Sequence, residues 1–169
     1  MQFVETLLDN GANVHIAGGK YHTALQAATG ADNLEIVRIL LQHGADPTVT
    51  GGAYGSALHA EMYAVDPVEL IDALHEQGGD LNAVQERGTP LQLAAAVALT
   101  EVVSHLLLKG ANPNMVFGKY GTPLQAACLM EDEETIDELL AHNADPFLRG
   151  GYFGSAFVAA AANGLKKYI

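Results

Sequence analysis

Seven histidines, one cysteine and several glycine-rich loops are the residues of this 169-residue chain whose types could do chemistry. Gly51-Gly52-Ala53-Tyr54-Gly55 and Gly150-Gly151-Tyr152-Phe153-Gly154 have the composition of a phosphate cradle. Each follows an Ala-Asp phrase rather than a buried strand, so turn geometry explains them better than a phosphate does. Gly118-Lys119-Tyr120-Gly121-Thr122 lacks the glycine-to-lysine spacing of a nucleotide-binding loop. The histidines are scattered, with no pair four residues apart carrying a third ligand, so no metal site is expected. Ser56 and Ser155 have no base beside them in sequence and sit where helix caps belong. Cys128 lies among Ala126 and Ala127, in the position of a small buried filler rather than a nucleophile. No catalytic residue and no cofactor are expected, and an enzyme is the most distant of three readings.

The spacing of Thr23, Ser56, Thr89, Thr122 and Ser155 explains why those features recur. They stand 33 residues apart, and each opens one phrase: Thr23-Ala24-Leu25-Gln26, Ser56-Ala57-Leu58-His59, Thr89-Pro90-Leu91-Gln92, Thr122-Pro123-Leu124-Gln125 and Ser155-Ala156-Phe157-Val158. A second phrase precedes most of them: Gly11-Ala12-Asn13, Gly44-Ala45-Asp46, Gly110-Ala111-Asn112 and Asn143-Ala144-Asp145. Between the two lies a double apolar anchor, Leu7-Leu8, Leu40-Leu41, Leu106-Leu107 and Leu139-Leu140. A strict period of this length belongs to units that pack on their neighbours in a row. In residues 21–53, Thr23 caps a short alanine-rich helix, and Asp32 or Asn33 caps a second one. Leu34, Ile36, Val37, Leu40 and Leu41 face inward on that second helix, and Gly44 ends it in a left-handed turn.

These phrases closely resemble the ankyrin repeat, and the resemblance runs the length of the chain. It implies an all-α solenoid of helix–turn–helix units joined by β-hairpin fingers. Residues 1–169 then form a single domain: half unit 1–20, full units 21–53, 54–86, 87–119 and 120–152, and half unit 153–169. The ankyrin pattern has glycine two residues before its Thr, whereas here Tyr21, Tyr54, Arg87, Tyr120 and Phe153 stand there. This Tyr-Gly-Thr variant resembles the long ankyrin arrays of filamentous fungi. His59 keeps the histidine of the family phrase, where the imidazole braces the turn. In the third unit Ala60-Glu61-Met62-Tyr63 replaces paired alanines. Its second helix is expected to begin one residue late after Asp66-Pro67, giving a bulged inter-helix loop and a shortened finger.

Composition narrows the partners. Twenty acids against eight bases give a net charge of −12. The finger stretches hold Lys20, Arg87, Lys119 and Arg149 against Asp46, Asp80, Glu86 and Asp145, so the whole excess falls to the helices. A solvated acidic face, or one that steers a basic partner, follows, and nucleic acid is excluded for want of clustered bases. No apolar run is long enough to insert in a membrane, the first residues lack a basic leader, and a lone cysteine suits a reducing compartment. Cytoplasm is the expected location, with the nucleus as alternative.

Without chemistry, function must lie on a surface. The resemblance implies protein–protein recognition through the concave finger and first-helix face. That face carries Lys20, Tyr21, Tyr54, Glu86, Arg87, Lys119, Tyr120, Tyr152 and Phe153, with Tyr63, Leu129 and Met130 at first-helix ends. Tyr and Arg bury large areas while keeping a polar tip, which suits an interface. The same aromatics could instead pack on neighbouring fingers. The second reading is a self-assembling array, filament or ring, in which Phe3, Leu7 and Phe157 at the half units associate head to tail. A fragment of a longer array would show the same unpaired faces.

Overall fold

A computed structural model of the chain describes residues 2–60 and 67–168, with side chains from residue 3 onward. It divides into two compact units, Met1–Asp80 and Leu81–Ile169. The first contains α1 (Gln2–Asp9), α2 (Ala24–Gly30), α3 (Leu34–Gln42), α4 (Ala57–Ala60) and α5 (Pro67–Glu76). The second contains α6 (Pro90–Ala96), α7 (Thr100–Leu108), α8 (Pro123–Met130), α9 (Glu133–Ala141) and α10 (Ala156–Ala162), followed by a single 3-10 turn at Lys166–Tyr168. Within the first unit α2 packs on α3 and α4, and α3 on α5; within the second α6 and α10 flank α8, while α9 lies against α7 and α8. Among the described residues the fold is all-α, and each finger is reduced to one β-bridge, as at Gly51 and Gly55 or Phe117 and Gly121.

The repeated phrases build repeated local structure. Thr23 and Thr89 cap α2 and α6 as complete capping boxes with Gln26 and Gln92, and Thr122 and Ser155 cap α8 and α10 through their hydroxyls. Of the two candidates for α3, Asn33 is the cap, accepting from the Ile36 N–H, and Asp32 adopts a left-handed backbone. Each second helix ends in the same pair of hydrogen bonds. Gly44 N–H donates to Leu41 O and Ala45 N–H to Leu40 O, and the pattern recurs at Gly110 with Ala111 and at Asn143 with Ala144. This motif requires a left-handed residue, which Gly44 supplies at φ +84° and Asn143 at φ +64°. Ala45, Ala111 and Ala144 after it are buried, so at these three stops the alanine is a helix stop and a packing contact together.

The leucine pairs are not equivalent. Leu106 and Leu139 have no solvent exposure and Leu40, Leu41 and Leu107 are nearly as buried, whereas Leu140 is 37% exposed and Leu7 on α1 is 62% exposed. Burying one such side chain contributes roughly 1.5–3 kcal/mol.

The third unit corrects one expectation. Helix α5 runs from Pro67, in register with α3 at Leu34, α7 at Thr100 and α9 at Glu133, and so does not begin late. The extra residue sits at its end: α5 has 10 residues where α3 and α7 have 9, and the left-handed stop falls on Gly78. The finger that follows is shortened as expected, with its bridge closing between Gln85 and Gly88. The inter-helix loop at 61–66, where a bulge was expected, lies outside the described residues.

The 3-10 turn is held onto α9 by surface contacts. Lys167 Nζ meets Asp137 Oδ2 at 2.6 Å, and the Tyr168 hydroxyl donates to Asp137 Oδ1 at 3.0 Å and Glu133 O at 3.2 Å. The Lys167 ammonium, then the Tyr168 hydroxyl, hold the Asp137 carboxyl below its ordinary value of 3.8. A carboxylate favoured in this way contributes above the ordinary value and loses its effect as pH falls through the lowered one. Docking of the turn should therefore persist at pH 5 and weaken as the pH is taken below 3.8. Loss of the Tyr168 ring's NMR shift dispersion reports it, and Asp137→Asn should give the detached spectrum at neutral pH.

Candidate partner-binding surface

Three fingers are fixed by a buried amide from the preceding first helix. Gln26 Oε1 accepts the Thr23 N–H at 3.0 Å, while its Nε2 donates across to Gly55 O at 2.8 Å and Gly51 O at 3.1 Å. Gln92 does the same, accepting from the Thr89 N–H at 2.8 Å and donating to Gly121 O. Gln125 reaches Leu148 O at 3.3 Å. All three are essentially without solvent exposure. These glutamines stand where the family phrase has histidine, and nothing local in the sequence gives them a role, since the residues they brace lie 23 to 29 positions away. His59, at the family's histidine, is equally buried and meets Ser56 Oγ at 2.7 Å through Nδ1.

On this frame the first unit brings Lys20, Tyr21 and Tyr54 together. The two rings stack at 5.7 Å and 19°, and Lys20 Nζ lies 5.0 Å from the Tyr21 ring centre. Ala53 N–H donates to Lys20 O, tying finger to finger. Tyr54 is half-buried, and its ring lies so close to Gly30 that a Cβ there would stand 2.4 Å from Cε2. Tyr54 therefore closes the end of α2, whereas Tyr21 keeps 39% of its surface in solvent. Tyr63 lies outside the described residues.

In the second unit Glu86, Arg87 and Lys119 are exposed, and Lys119 Nζ stands 4.7 Å over the half-buried Tyr120 ring. Tyr152 N–H donates to Lys119 O at 2.9 Å, and the Tyr152 ring, 83% exposed, meets Phe153 edge to face at 5.0 Å. Leu129 is half-buried and Met130 is exposed at the end of α8. The finger roots are linked as well: Asn114 accepts from Asp145 N–H at 2.8 Å and donates to Asn143 O at 3.0 Å.

The residues marked for self-association are exposed. Phe3 is 85% and Leu7 62% accessible on α1, and Phe157 packs beside Phe147 at 5.9 Å. Phe157 borders an open apolar cleft of about 430 Å³ with Leu124, Ile136, Leu140, Phe147 and Cys128. Burial pushes the Cys128 thiol up to about 11, which leaves it protonated and unreactive at neutral pH. Among the described residues no group of three metal-ligating side chains converges, and no helix is long and apolar enough to cross a membrane.

The family model of a single ankyrin repeat matches residues 20–51, and the model of three consecutive ankyrin repeats matches residues 58–149. Among curated proteins nothing matches the chain significantly.

Proposed function

The chain belongs to the ankyrin-repeat family, whose repeats generally mediate protein–protein interaction, and on that premise we propose that it is a non-catalytic recognition module binding a partner protein through its finger tips and first-helix ends. The observation that carries this reading is the exposure of Tyr152 beside Lys119 on fingers whose backbones are pinned by buried glutamines. A rigid frame under an exposed aromatic lowers the ordering cost of binding, and such aromatics dominate interface energetics. Tyr21 and Lys20 offer the same pairing in the first unit.

The test separates binding from stability. Tyr152→Ala with Lys119→Ala should weaken a captured partner by about 2 kcal/mol or more, as hot-spot aromatics do, with the melting temperature unchanged. Tyr54→Ala should instead lower the melting temperature, because it uncovers the end of α2. Unaltered affinity in the double variant, measured by titration calorimetry, would remove the finger tips from the interface.

A further inference from the structure

Summed along the sequence, the fingers are neutral, but the fold separates their charges. Asp46 and Asp145 lie at finger roots, where each carboxylate turns back on its own backbone. Asp46 Oδ1 accepts the Thr48 N–H at 2.8 Å and the Thr48 hydroxyl at 2.6 Å, and Asp145 Oδ1 accepts the Phe147 N–H at 2.8 Å. Beyond the roots, the balance at the tips is basic. In the Leu81–Ile169 unit, the tip stretches 82–88, 115–121 and 148–154 hold Arg87, Lys119 and Arg149 against Glu86 alone, three bases to one acid, a net of +2 in a chain of −12. All four are exposed, and Tyr152 and Phe153 stand among them.

Resting on the reading of the fingers as a binding surface, we infer that the tips of this unit receive an acidic, aromatic-bearing segment of a partner protein in extended conformation. The sign is opposite to that suggested by the total charge. Acids on the helices are farther from a ligand at the tips, and beyond about 8–10 Å exposed charges are largely screened at physiological salt, so the local sign decides. Helices of neighbouring repeats stack about 8–10 Å apart, and an extended chain advances about 3.3 Å per residue. One carboxylate at every third position therefore meets one basic tip after another, and the residues between face Tyr152 and Phe153. A nucleic acid is disfavoured, because one base per repeat cannot follow a phosphate backbone.

Fluorescence anisotropy on the full chain, at low and physiological salt, tests this with four labelled probes. They are a 12-residue peptide with Glu at every third position and Phe between, its twin with Lys for Glu, an acidic version lacking Phe, and a 12-nucleotide oligo-dT. The Glu/Phe peptide should bind at least tenfold tighter than the Lys twin and the Phe-free version. Lys119→Glu combined with Arg149→Glu should cost it at least tenfold while leaving the circular-dichroism melt unchanged. Equal or tighter binding of the Lys twin, or preference for oligo-dT, overturns the acidic-segment inference. If that occurs while Tyr152→Ala still weakens a captured partner, the finger reading stands and only its chemistry is wrong. If the tip variants alter neither probe nor partner binding, both fail.

Discussion

Leu106→Ala is expected to destabilise the chain by about 2–5 kcal/mol, the largest effect of any single side-chain truncation considered. Leu106 has no solvent exposure and sits on α7, which packs against both α6 and α9. Truncation removes the transfer free energy of the lost methyl groups and leaves a cavity that two flanking helices cannot both close. The Leu106 carbonyl also accepts the Ala111 N–H in the helix-stop motif, so relaxation of α7 would disturb the root of the next finger. Urea denaturation followed by circular dichroism measures the loss. Leu140→Ala is the control: at 37% exposure it should cost well under half as much. Equal losses at the two sites would mean that the burial difference between Leu106 and Leu140 does not set their contributions.

Gln92→Leu should cost about 2–3 kcal/mol although it places an apolar residue in an apolar site. The leucine fills similar space but cannot accept the buried Thr89 N–H or donate to the carbonyls of Met115, Phe117 and Gly121. A buried donor left without a partner loses roughly 1–3 kcal/mol, and the finger loses its brace besides. Hydrogen exchange should therefore quicken at residues 115–121, one repeat beyond the mutated helix, more than within α6. Gln92→His should recover part of the loss, since His59 occupies the equivalent place in its own repeat with its ring buried. Exchange that quickens only around Gln92 itself would show that the amide caps its helix and does not hold the finger.

Both predictions concern groups whose importance the sequence shows unequally. The leucines were legible because helix periodicity and the repeat period agree on them, although Leu7 and Leu140 are exposed where their counterparts Leu40 and Leu107 are buried. Thr23, Thr89, Thr122 and Ser155 were legible for the same reason, since a cap acts on the N–H groups two or three residues ahead. The glutamine brace was not, because its partners lie a repeat away and only packing of one finger over the next helix brings them within 3 Å.

The amino-acid sequence by itself determined the family, the all-α class, the helix stops and caps and the alternation of first and second helices, because each of these rests on neighbours within one period. Tertiary structure alone decided the finer questions. It showed that the third unit keeps its helix register and takes up its extra residue at the end of α5, since register is held by packing between helices and not by counting from a glycine. It divided Tyr21 from Tyr54, which share one repeat position, by turning the half-buried Tyr54 onto Gly30 and leaving Tyr21 39% exposed. And it placed the acids Asp46 and Asp145 of fingers of zero summed charge at the roots, where each hydrogen-bonds the backbone two residues on, and left the tips basic.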